Sequence, residues 1–179
     1  MLEIKCIGRA GQGAVTFSQI LAIGAFYDGK HCQAMPAFGV ERRGAPSFSY
    51  TRIDDKQVNI RSLITEPDII ILLDSSLIDS INITDGLKKD GIIIVNSSKK
   101  PEQLKLGNFK IYTVDASSTA MKIFNADIVN TAMLGAFSAV TKQVSLKSIM
   151  KGIEERFKKK HLIELNEQAI KEVYNQLKK

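Results

Sequence analysis

The stretch LEIKCIGRAGQGAVTFSQILAIGAFY, Leu2 to Tyr27, decides the fold. Leu2 to Ile7 reads as a short strand, Gly8 to Gly13 is glycine-rich, and Ala14 to Tyr27 spaces Val15, Ile20, Leu21 and Ile23 as a helix does. Asp28-Gly29 closes that helix with a glycine suited to a left-handed cap, and Lys30 to Met35 begins a second extended segment. Strand, glycine loop, helix and strand make a first βαβ unit.

Downstream, Pro46 to Ile53 alternates Phe48, Tyr50 and Arg52 with Ser47, Ser49 and Thr51, and Asp54-Asp55-Lys56 then turns into Val58-Asn59-Ile60. This pattern predicts a hairpin, hence antiparallel pairing within the sheet. Asp68 to Leu73 and Gly91 to Val95 are continuous runs of branched apolar residues, as expected of strands buried on both faces. A short helical segment is expected around Ser76 to Ile81 and a further strand at Lys110 to Val114. The C-terminal third is helical: Asn130 to Thr141 is apolar nearly all round, Leu146, Ile149, Met150, Ile153 and Phe157 form one stripe, and a last helix runs through Ala169, Ile170, Val173, Tyr174 and Leu177. Ser145 and Asn166 are the expected N-caps of the last two helices. The pattern predicts one Rossmann-like, three-layer α/β domain over residues 1–179, with helices covering a mixed, mostly parallel sheet.

Composition excludes several function classes. No stretch approaches the uninterrupted apolar run of about 20 residues needed to span a bilayer, so a cytoplasmic protein without a membrane partner is expected. The net charge is +6, but the lysines are scattered apart from Lys158-Lys159-Lys160 and Lys178-Lys179, without interleaved aromatics, so no nucleic-acid partner is expected. Cys6 and Cys32 form no C-x-x-C pair, and an ordinary iron–sulfur cluster takes four thiolates, so this chain holds none by itself. Both read as small core residues. His31 and His161 lack metal-ligand spacing, and no Ser-His-Asp or Cys-His set is legible, so no metal-binding or catalytic residue is assigned. Asp68 and Asp74 bracket a strand and read as capping and turn residues.

Two loops carry candidate chemistry. In Gly8-Arg9-Ala10-Gly11-Gln12-Gly13, glycines after a strand and before a helix allow close backbone approach, and the free N–H groups and dipole of the helix start favour an anion. The spacing is G-x-x-G-x-G rather than G-x-G-x-x-G, no Gly-Lys-Ser/Thr follows, and the second strand ends in Met35-Pro36-Ala37 without a ribose-binding acid. A nicotinamide role is thereby weakened. The second loop, Pro36 to Pro46, contains Glu41 and the tandem arginines Arg42 and Arg43. Such a pair suits bidentate contacts with phosphate or carboxylate, and equally an ion pair with Glu41 or a contact with another chain.

The segments GRAGQGAVTFSQILA (Gly8 to Ala22), DGKHCQAMPAFGVERRGAPSFSYTRID (Asp28 to Asp54), EPDIIILLD (Glu66 to Asp74), DGIIIVNSS (Asp90 to Ser98) and NTAMLGA (Asn130 to Ala136) resemble the gamma subunits of 2-oxoacid:ferredoxin oxidoreductases, specifically the pyruvate type. FGVERRGAP is the most specific of these motifs. The resemblance implies a subunit working with an alpha subunit, a beta subunit carrying thiamine diphosphate and a cluster, and a ferredoxin-like delta subunit with further clusters. Such a complex, pyruvate synthase, oxidises pyruvate with coenzyme A to acetyl-CoA and CO2 and passes electrons to ferredoxin. It further implies that this chain is structural and contributes to the coenzyme A pocket through Gly11, Gln12, Gly13, Arg42 and Arg43, and that the Pro36 to Pro46 loop and the strand bearing Phe48 and Tyr50 face partner subunits. The alternatives are the gamma subunit of a branched-chain (ketoisovalerate) enzyme and a free-standing nucleotide-binding protein.

Overall fold

A computed structural model describes residues 1–37 and 44–178. Six strands, β1 (Leu2–Arg9), β2 (His31–Pro36), β3 (Pro46–Asp54), β4 (Ile69–Leu72), β5 (Ile92–Asn96) and β6 (Lys110–Val114), form one sheet in the order β2-β3-β1-β4-β5-β6. β1, β4, β5 and β6 are mutually parallel, whereas β3 lies antiparallel between β1 and β2. The sheet is therefore mixed and mostly parallel, as the sequence pattern predicts. Ile69 to Leu72 are buried throughout, consistent with their lack of alternation.

Five helices follow: α1 (Ala14–Tyr27), α2 (Ala116–Phe124), α3 (Ala132–Thr141), α4 (Leu146–Arg156) and α5 (Lys160–Leu177). All contribute to one core, where Phe17, Ile20 and Leu21 of α1 meet Phe137, Ile149, Ile153 and Ile170 over Ile4, Cys6, Ile71 and Ile94 of the sheet. The opposite face is covered more thinly than a full helical layer would cover it. A 3₁₀-helix, Ser75–Asp79, and the irregular connections after β4 and β5 place Leu77, Ile83, Leu87, Leu104 and Leu106 on Ile7, Ile70, Leu72, Ile93 and Val95. No helix among the described residues is long and apolar enough to cross a membrane.

Three expectations are corrected. The hairpin through Asp54-Asp55-Lys56 does not form, because β3 is already paired on both sides and Val58 to Ile60 has no ladder position to occupy. A side chain ties that segment down instead: Arg52, 2% exposed, donates through Nη1 to the Ile60 carbonyl at 3.3 Å and through Nε to Glu3 at 2.9 Å. Asn166 is no N-cap but lies inside α5, where its Nδ2 donates back to the Leu162 carbonyl at 2.7 Å. Tyr50 is buried and Phe48 half-buried, packed on the second core, so that strand presents no bare aromatic patch; Phe26, Leu63, Met121 and Ile128 are among the exposed large apolar residues. Ser145, by contrast, caps α4 as expected, accepting from the Ser148 N–H.

Candidate functional site

β1 ends at Arg9 and α1 starts at Ala14, so the glycine loop is the turn between them, at the carboxyl end of the strand. Gly11 and Gly13 have φ of 97° and 81°, the left-handed region that glycine enters without a Cβ penalty. Gly13 is also packed: a Cβ there would collide with the Asn130 side-chain amide, so both dihedral and contact require glycine. Gly13 is the N-cap of α1, with no side-chain cap and no acidic residue in the first turn. The N–H groups of that turn are therefore available to an anion rather than occupied by a carboxylate.

Polar side chains fix the loop. Gln12 accepts the Arg9 N–H through Oε1 at 2.7 Å and donates through Nε2 to Asp74 Oδ2 at 3.1 Å. Arg9 donates to Asp74 Oδ2 at 3.0 Å, to the Gly44 carbonyl at 3.0 Å and to Ser76 Oγ at 2.7 Å. Burial opposes ionisation of Asp74, but hydrogen bonds from Ser76 and Gln12, with the Arg9 charge, outweigh it and hold the carboxyl below its ordinary range. The strand-end aspartate is thus also the pin of the glycine loop.

A cleft of about 270 Å³ opens beside Gln12, lined by Asp74, Asn96, Lys99, Asp115 and Asp127 among others. It lies where α1 leaves β1 on one face of the sheet and the connection after β4 leaves on the other, the switch point at which open α/β sheets bind ligands. Three carboxylates against one lysine make it a poor seat for phosphate. The start of α1, beyond Gln12, has by contrast no side-chain cap and no acidic residue in its first turn.

The structure brings Gly11, Gln12 and Gly13 together and places the C-terminal end of the second candidate loop beside them: Ala10 N–H donates to the Ala45 carbonyl at 2.8 Å, and Arg9 donates to the Gly44 carbonyl. Arg42 and Arg43 themselves lie outside the described residues. Asn130, unassigned from the sequence, stands against Gly13. Cys6 is fully buried and burial pushes its thiol up, against a weaker opposing hydrogen bond from Ser49; Cys32 donates to the Ala22 carbonyl at 3.0 Å. Among the described residues no three His, Cys, Asp or Glu side chains group as a metal site.

Fold and site together define an open-sheet α/β domain with a ligand-type glycine turn and a switch-point cleft. Comparison with known proteins identifies the family: the pyruvate ferredoxin/flavodoxin oxidoreductase pattern matches residues 3–176, and the chain belongs to that family. A Methanocaldococcus jannaschii protein named pyruvate synthase subunit PorC is 52% identical, covering 100% of this chain and 98% of its own. The Thermococcus kodakarensis pyruvate/ketoisovalerate oxidoreductases common subunit gamma is 48% identical over 98% and 96%. The crystal structure of pyruvate oxidoreductase subunit PORC (EC 1.2.7.1) from Thermotoga maritima superposes with a TM-score of 0.85 at 38% identity, over 97% and 95%. At 17% identity, a likeness of fold alone, the chain matches 32% of a chain of the 2-oxoglutarate:ferredoxin oxidoreductase from Magnetococcus marinus, solved with 2-oxoglutarate, coenzyme A and succinyl-CoA bound (TM-score 0.76, 99% of this chain). These relatives are subunits of multi-subunit 2-oxoacid oxidoreductases, and this chain is a gamma-type, PorC-like subunit.

Proposed function

We propose that this chain is a non-catalytic gamma subunit of a pyruvate:ferredoxin oxidoreductase, assembled with alpha, beta and delta chains, and that its glycine loop with Arg42 and Arg43 contacts the phosphates of coenzyme A. The observation that carries the coenzyme A contact is the start of α1: left-handed Gly13, an uncapped first turn, and the C-terminal end of the arginine loop hydrogen-bonded to Arg9 and Ala10. Two anion preferences then converge on one end of the sheet. The charge-assisted contacts orient the nucleotide, and the binding step is all the chemistry this chain supplies.

The residues do not fit an iron–sulfur cluster. Cys6 is sealed in the core and Cys32 is bonded to a helix carbonyl, so electron transfer to ferredoxin, and thiamine diphosphate chemistry, belong to partner subunits. That the Thermococcus relative is named as common to pyruvate and ketoisovalerate enzymes supports assigning the choice of 2-oxoacid to other chains, and supports a branched-chain complex as the second reading.

Co-purification of the tagged chain with its partners tests the proposal. The complex is expected to reduce a viologen dye with pyruvate and coenzyme A, and the chain alone to do nothing. An isolated chain that turned over a 2-oxoacid or reduced NAD would overturn it.

A further inference from the structure

β2 is an edge strand paired with β3 alone, and its ladder shows which backbone groups it leaves outward. The Ala37 N–H donates to the carbonyl of Phe48, which lies opposite it in the β2–β3 register. Met35, Gln33 and His31 therefore also point their backbone groups at β3, and the alternation of an antiparallel ladder turns those of Cys32 and Ala34 away from it. Among the described residues no hydrogen bond takes these outward groups. The usable edge stops on both sides: the Lys30 N–H is already given to the Ala25 carbonyl, and Pro36 has no N–H. From Cys32 to Met35 the strand carries no charge, and no lysine of the kind that blunts exposed edges. Above this edge, Cys32 donates through Sγ to the Ala22 carbonyl and, with Ala22, Ile23, Phe26, Tyr27 and Glu155, lines a groove of about 320 Å³. The Tyr27 hydroxyl donates to Glu155 at 2.6 Å and fixes one wall, while Phe26 is left 67% exposed.

We propose that the β2 edge docks a second copy of this chain, strand against strand and antiparallel, about a twofold axis through Gln33. What selects this occupant is that the free edge is its own complement. The register that uses every outward group pairs Cys32 with the partner's Ala34 and Ala34 with the partner's Cys32, each pair exchanging both of its backbone bonds. A contact of this isologous kind sets the residue on the axis against its own copy, so that residue must be uncharged. Gln33 is: its Oε1 accepts from Arg52 at 3.4 Å, and its Nε2 is left to donate to the partner's Gln33. Ala34 lies on the same face as Cys32, two residues away, so the partner's Ala34 is small enough to enter the groove beside Phe26. Phe26 and Tyr27, 67% and 38% exposed, offer roughly 150–250 Å² of aromatic surface between them. Together with so short a strand edge this stays below the roughly 800 Å² per partner of a standard interface, so the dimer is a reversible one.

Sedimentation equilibrium of the chain should show a monomer at micromolar concentration that passes into a dimer towards millimolar. Ala34→Pro removes an N–H that the monomer leaves unused, so Tm should hold while self-association weakens by about tenfold or more, the worth of the lost backbone bonds. Phe26→Lys, at an exposed position of α1, should weaken it likewise, and Tyr112→Lys on β6, the other edge strand, should leave it unchanged. Ala34→Cys tests the register. Opposed residues of a hydrogen-bonded antiparallel pair stand about 5.5 Å apart at Cα, within disulfide reach, so diamide should join Cys32 to the partner's introduced thiol. Adding Cys32→Ala should abolish that crosslink. A chain that stays monomeric to millimolar concentration, one that self-associates equally well as Ala34→Pro, or a crosslink that survives Cys32→Ala would each overturn the proposal. If the chain alone is monomeric and Ala34→Pro lowers its co-purification with the other oxidoreductase subunits, the edge receives a strand of another subunit and the second-copy reading falls.

Discussion

Asp74, just past the end of β4, holds Arg9, the last residue of β1, at 3.0 Å between Oδ2 and Nε, and the same oxygen takes Gln12. One carboxylate thereby ties the ends of two parallel strands together and holds the loop between β1 and α1. Because the Arg9 and Asp74 side chains are partly exposed, at 35% and 20%, the pair acts mainly through geometry rather than Coulomb energy.

Asp74→Asn should therefore loosen the glycine loop at modest thermodynamic cost, about 1–2 kcal/mol. The folded-state carboxyl titrates below its unfolded value of about 3.9, so its contribution is fully present above that pH and is lost as pH falls through the lowered folded value. Urea unfolding midpoints measured across the acid range should fall less steeply in the variant than in the parent. Equal slopes would show that Asp74 does not titrate differently in the two states.

Gly13→Ala meets two obstacles, a left-handed φ of 81° and the Asn130 amide. The dihedral alone costs about 1–2 kcal/mol, and overpacking adds about 1–3 kcal/mol. Only the second disappears in an Asn130→Ala background. A double-mutant cycle on thermal stability should therefore give a favourable coupling of about 1 kcal/mol or more, whereas additivity would mean that the side chain moves aside freely.

On the thinly covered sheet face, Glu3 lies between buried Arg52 at 2.9 Å and exposed Lys88 at 3.8 Å. These contacts differ in worth. Glu3→Ala leaves a guanidinium charge uncompensated in the interior, a loss of about 3–5 kcal/mol, whereas Lys88→Ala removes a solvent-screened partner worth about 0–1 kcal/mol. Chemical denaturation of the two variants should separate them clearly. Hydrogen exchange in the segment around Ile60 should accelerate only in Glu3→Ala, since Arg52 anchors that segment.

The β1–loop–α1 unit, β4, β5, β6 and α4 were legible in the sequence because each is specified by a local pattern: a glycine turn, an unbroken Ile run, a helical stripe behind a serine cap. The pairing partner of β3 was not, since alternation in Pro46–Asp54 states that a strand forms but not which neighbour it joins, and β1 competes with any hairpin mate. α2 is not legible in the sequence, although Asp115 caps it and Ala116, Ala120 and Ile123 share one face, because ASSTAMKIF is short and serine-rich. The site divides in the same way. Gly11 to Gly13 are read from spacing, but the contacts that hold them come from Asp74 and Asn130, whose bonds to Arg9 and Gly13 span 65 and 117 residues. Such pairings arise from tertiary packing, and a single sequence carries no trace of them.

Arg42→Ala and Arg43→Ala bear most directly on the proposed role. Both residues lie in sequence between Ala37, whose N–H donates to the Phe48 carbonyl, and Gly44, whose carbonyl accepts from Arg9 beside the glycine loop. A guanidinium bonded to a phosphate contributes about 1.5–3 kcal/mol, equivalent to roughly a 10- to 150-fold rise in the coenzyme A KM when it is removed. A uniform binding contact raises KM and leaves kcat unchanged. The salt dependence provides an independent signature: an exposed charge–phosphate contact is screened as ionic strength rises, so parent and variant KM values should converge at high salt. If the arginines instead pair with acidic residues of a partner subunit, the variants will co-purify poorly with alpha, beta and delta chains and the residual complex will keep its KM for coenzyme A. Analytical gel filtration of the complex, run beside the kinetics, therefore separates a pocket from an interface.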